Sequence, residues 1–148
     1  MTALYPVFLS LLAGIIIAAQ GPIYLRMTEG LGHPLSTTLL AFSTATFVLV
    51  GLHLVSRTPF PTLGQIKDLP LWVWVGGVLG ICVVLLSIAA VPRLGAAGYI
   101  VAVIAGQLAA SLIFDQTGAF GLETRAITWQ AVAGVALIGT GAALVIWR

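Results

Sequence analysis

The sequence predicts an all-α membrane protein: one unit of five transmembrane helices. Three observations carry that expectation. The 148 residues are 60% hydrophobic and only 7% charged, whereas a soluble domain carries about a quarter charged residues. The charged side chains, Arg26, Glu29, Arg57, Lys67, Asp68, Arg93, Asp115, Glu123, Arg125 and Arg148, bound five runs that contain none, residues 1–25, 30–56, 69–92, 94–114 and 126–147. A helix needs about 20 residues to cross a ~30 Å hydrocarbon core while satisfying its own backbone hydrogen bonds, so each run can span once. Stretches such as Val83-Val84-Leu85-Leu86 lack the polar–apolar alternation of a membrane β-barrel.

Taken in order, the first helix is expected over residues 4–24. No Lys or Arg precedes its apolar stretch, which sets it apart from a secretory signal. Arg26, Glu29, Gly30 and Gly32 then read as a short polar turn. Pro34 opens the second helix, residues 34–56, at the position where its missing N–H costs nothing. Residues 57–69, with Pro59 and Pro61, form the longest connection. Trp72 and Trp74 mark the headgroup level at the start of the third helix, residues 70–91. Arg93-Leu94-Gly95 is read as a tight turn into an antiparallel fourth helix, residues 95–114. The loop 115–125 leads to the fifth, residues 127–147, with Trp129 and Trp147 at its two ends.

Charge and cysteine content narrow the chemistry. Cys82 is the sole cysteine, which excludes an intrachain disulfide or a cysteine metal cluster. His33 and His53 have no second ligand at metal spacing. No carboxylate lies within a span, so a buried acidic proton carrier is absent, and the chain has no nucleophile elbow, phosphate loop or acid–base pair. We therefore expect no enzyme activity, no cofactor and no metal. The basic residues are scattered over separate boundaries, which is no footprint for nucleic acid. The expected partner is the lipid bilayer.

The fourth helix carries two stripes: Gly98, Ala102, Ala105 and Ala109 are small, while Tyr99, Val103, Gln107 and Ser111 are more polar. Small residues allow close backbone approach in lipid. Gly76 and Gly80, and Gly134 and Gly141, repeat that spacing. Gln107 carries two donors and an acceptor that hydrocarbon cannot satisfy, so it is expected to face the protein interior, as a structural hydrogen bond or as a solute contact. Gln20 raises the same alternatives, with Pro22 loosening the helix end beside it. Most hydroxyls of the second helix can bond back to their own carbonyls, with Ser43 and Thr46 as candidate exceptions. The expected substrate-binding residues are Gln20, Ser43, Tyr99 and Gln107.

Val91-Pro92-Arg93-Leu94-Gly95-Ala96-Ala97, then Ala105-Gly106-Gln107 leading to Ser111-Leu112-Ile113-Phe114-Asp115, and Gly134 to Gly141, resemble the YdcZ-type members of the drug/metabolite transporter superfamily across nearly the whole chain. More distantly, Gly98-Tyr99 and the glycine-spaced last helix resemble the small multidrug resistance proteins with one helix added. The membrane glutamate of that second family has no counterpart here, where Ala18 to Gln20 occupy the matching stretch, and its tryptophan after the matched tyrosine is also missing. The resemblance implies a small-solute transporter of the bacterial inner membrane, with an unknown solute. A non-transporting membrane partner of a larger complex and a passive channel are the rival readings.

Five alternating crossings place Arg57, Lys67 and Arg125 on one side and Arg26, Arg93 and Arg148 on the other. The Lys/Arg bias that fixes orientation is thus balanced, and dual insertion is expected. Transporters commonly use two inverted units around one site, which predicts an antiparallel homodimer, with a paralogous heterodimer as the alternative.

Overall fold

Hydrocarbon solvent explains the most conspicuous feature of the structure, the near absence of a conventional core. A computed structural model describes residues 4–147. Among them Val84, Ile88, Val91, Tyr99 and Ala142 are the buried hydrophobic residues, while side chains such as Phe47, 80% exposed, and Leu137, 74% exposed, stand outward. In water such a surface would aggregate; in lipid it is solvated. The described residues are helices joined by short turns, with no strand.

α1 (Leu4–Leu31) is helical straight through Pro22 and runs about two turns past Tyr24. Arg26, Glu29 and Gly30, read as part of a polar turn, are therefore helix, and the turn begins at Gly32. Arg26 and Glu29, three residues apart, pair at 2.8 Å on its surface, and Thr28 Oγ1 donates to the Tyr24 carbonyl at 2.8 Å. α2 (Pro34–Ser56) has Pro at its first position, and the His33 side chain caps it by accepting from the Leu35 N–H. α3 (Leu63–Lys67) occupies the connection expected to be irregular. It is set by a reciprocal cap between Thr62 and Gln65, the S/T-x-x-E/Q signature of a helix start.

Leu71–Trp74 forms a 3₁₀ turn that leads into α4 (Val75–Thr117), which is broken at Gly95, where φ is 69° and ψ is 169°. A straight helix of that length would reach roughly 65 Å, twice the hydrocarbon thickness. The break divides it into two arms, residues 75–94 and 96–117, each long enough to cross, so the described residues supply five helical segments of sufficient length within four long apolar stretches. α5 (Trp129–Ile146) is capped by Thr128, whose hydroxyl accepts from the Ala131 N–H.

The chain divides into two compact units, one of residues 19–89 and one made of the start of α1 with residues 90–147. Within the first, Thr28 and Thr37 hydroxyls join α1 to α2 at 2.8 Å, and Thr37 is fully buried. α2 also meets the first arm of α4 closely: a Cβ on Gly80 would lie 3.1 Å from Phe42 Cζ. Within the second, Gly98 sits beside Ile146 of α5, at 3.8 Å from the position a Cβ would take. These are the small-residue approaches that membrane packing uses. At Gly76, Gly134 and Gly141, by contrast, a Cβ would meet nothing within 4 Å, so the chain alone makes no close packing on those glycines.

The backbone at Gly95 lies in a region essentially restricted to glycine, at a cost of about 1–3 kcal/mol for other residues. Gly95→Ala is expected to lower the thermal unfolding midpoint in detergent. Gly139→Ala, where a Cβ meets nothing and alanine is the better helix former, is expected to leave it unchanged or raise it. Equal midpoints for the two variants would show that the break does not depend on glycine.

Candidate functional site

In a lipid-solvated helix a hydroxyl can hide its polarity by donating to its own preceding turn. Ser10, Thr38, Thr44, Thr46 and Thr140 each donate to the carbonyl four residues back, at 2.8 to 3.0 Å. Ser87, 3% exposed, donates to Val84 at 2.7 Å. Thr46, one of two hydroxyls singled out on α2, is thereby satisfied. Ser43, the other, makes no hydrogen bond among the described residues. It lies exposed in a groove of about 480 Å³ along α2 whose remaining lining is Leu39, Phe42, Thr46, Phe47 and Val50.

The second arm of α4 shows the same contrast more sharply. Tyr99 is buried, 9% exposed, close to Gly98 and the α5 contact. Further along the stripe Val103 is half-buried, while Gln107 and Ser111 are exposed and without hydrogen bonds among the described residues. The expectation that Gln107 faces the interior does not hold within one chain. The α4 face turned toward α5 is the small one: Gly98 is buried, Ala102 and Ala105 are half-buried, and Ala109 borders a groove of about 360 Å³ with Ala136 and Val132 of α5. With the small stripe taken up by α5, the amide is left on the other side of the helix.

Gln20 on α1 is likewise exposed and unpaired. The four expected site residues thus divide in two. Tyr99 belongs to the packed part of its unit, whereas Gln20, Ser43 and Gln107 present polar atoms on the surface of the chain. Ser111 joins the second group, although its position on the Gln107 stripe was the sole sequence signal for it. At the end of α4, the Arg125 N–H donates to the Asp115 carbonyl at 2.8 Å and the Ile127 N–H to Gln116 Oε1 at 2.8 Å. The loop is therefore folded back on the helix end. Asp115, Glu123 and Arg125 line a small pocket there, outside the spans.

The polar groups left exposed at Gln20, Ser43, Gln107 and Ser111 are neutral amides and hydroxyls. They suit holding a hydrogen-bonding group in an apolar setting. A family model described as "Putative inner membrane exporter, YdcZ" matches residues 5–144. The chain belongs to this family. It is a multi-pass protein of the inner membrane and a membrane transporter by class, and the expected family is the one found. No match is found among the curated proteins or among the solved structures.

Proposed function

We propose that the chain transports a small solute as an antiparallel homodimer of ten membrane-spanning helices, with the pathway between subunits and Gln20, Ser43, Tyr99 and Gln107 along it. The observation that carries this reading is Gln107, an exposed amide without a hydrogen-bonding partner among the described residues of its own chain. Facing lipid, it would forfeit ~4–8 kcal/mol on the scale of water-to-hydrocarbon transfer. A second subunit, or water and solute in a pathway, removes that penalty. Gln20 and Ser43 support the same reading. Tyr99, being packed, would act from the wall of the pathway. The balance of three basic residues against three supports insertion in both orientations, and because five crossings are odd in number, joining two copies end to end would invert the second, so one chain matches half of an inverted repeat.

Uptake by purified protein in liposomes tests the site residues. With the solute that a transport screen identifies, Gln107→Ala and Gln20→Ala are each expected to weaken saturable uptake about two- to tenfold, the size of one or two lost hydrogen bonds. Unchanged uptake in both variants would remove them from the pathway. C-terminal reporters, one active only inside the cell and one only outside the inner membrane, test the orientation. Signal from both is expected, and signal from one side alone would refute the antiparallel homodimer.

A further inference from the structure

The depth of Gln107 adds a second constraint. The midpoint of the 96–117 arm falls between Gly106 and Gln107, and the charge-free run 94–114 is centred within about one helical turn of it. The amide therefore lies near the level of the bilayer midplane, out of reach of the headgroups and of the water at the two membrane surfaces. Ser111, one turn further along the same stripe, is unpaired as well. An amide both donates and accepts, so the residue that best complements Gln107 is another glutamine. In two opposed copies related by a twofold axis in the membrane plane, midplane residues are the ones that can meet their own counterparts.

We infer that Gln107 is half of a neutral hydrogen-bonding site which a second copy of this chain completes, the two Gln107 amides facing each other across the axis. This rests on the antiparallel reading above and locates the contact within it. The arm contributes no charged group between residues 94 and 114, so the completed site offers only uncharged donors and acceptors. The same geometry fixes the neighbours. Val103 and Ser111 lie one turn to either side of Gln107, about 6 Å along the axis. Val103 of one copy therefore comes level with position 111 of the other, while each is about 12 Å from its own counterpart.

Disulfide trapping in native membranes tests this, because the bond forms only when Cβ atoms approach to about 4 Å. In a full-length Cys82→Ala background, Gln107→Cys is expected to yield a covalent dimer. Val103→Cys co-expressed with Ser111→Cys is expected to do the same, and neither of those two alone. The mixed pair retains Gln107, so the result does not depend on the Gln107→Cys variant folding. Self-linking of Val103→Cys and of Ser111→Cys would mean a parallel pairing and overturn the inference. Absence of any link would also overturn it, by taking this face out of the interface. The C-terminal reporters do not depend on position 107. Dual insertion without these links would refute this contact alone, whereas single-sided insertion would refute the reading beneath it.

Discussion

In hydrocarbon every polar atom must find its partner within protein, because no water is present to take the place of a missing hydrogen bond. The chain meets this constraint first with helix, then by turning hydroxyls back onto their own carbonyls, as at Thr44 and Thr140, and by pairing Thr28 with Thr37 between helices. What the constraint leaves over is short and informative. Among the described residues, Gln20, Ser43, Gln107 and Ser111 lie exposed along largely apolar helices without a side-chain hydrogen bond. A chain whose other hydroxyls are so largely accommodated, with these left open, fits the proposal that a second copy covers them.

The glycines bear on the same proposal in steric terms. Gly80 is in use, accepting Phe42 at a distance a Cβ would crowd, while a Cβ at Gly98 would crowd Leu94 and make an ordinary contact with Ile146. Gly134 and Gly141 on α5 face open space. Close packing in lipid depends on small residues because apolar side chains gain little by leaving one hydrocarbon for another. The open glycines therefore leave room for further association, although spacing alone names no partner.

Much of the fold was legible because charge cannot be hidden in a membrane: Arg57, Asp115 and Arg125 mark boundaries that the structure keeps near the helix ends. Arg93-Leu94-Gly95 was legible as an interruption, read as a tight turn, and the structure narrows it to Gly95, with Pro92, Arg93 and Leu94 still helical. The end of α1 was not, since Arg26, Glu29 and Gly30 resemble a turn in sequence, while an i,i+3 ion pair and the Thr28 back-bond make them helix. The Thr62–Gln65 cap of α3 was present in the sequence but overshadowed by the prolines before it. Gln107 was misjudged for a different reason. Its chemistry says that it needs partners, but not whether the partner is in the same chain, and the structure turns the small stripe of α4, not the amide, toward α5.

The central claim, that one chain is half of the working unit, is tested most directly by the mass of the particle released from the membrane in a mild detergent that preserves subunit contacts. With a chain of 15.4 kDa, native mass measurement is expected to find a species of twice that protein mass, and to find it still in Cys82→Ala, where no disulfide can form. A particle that is monomeric at every detergent and lipid composition under which it remains folded would contradict the account.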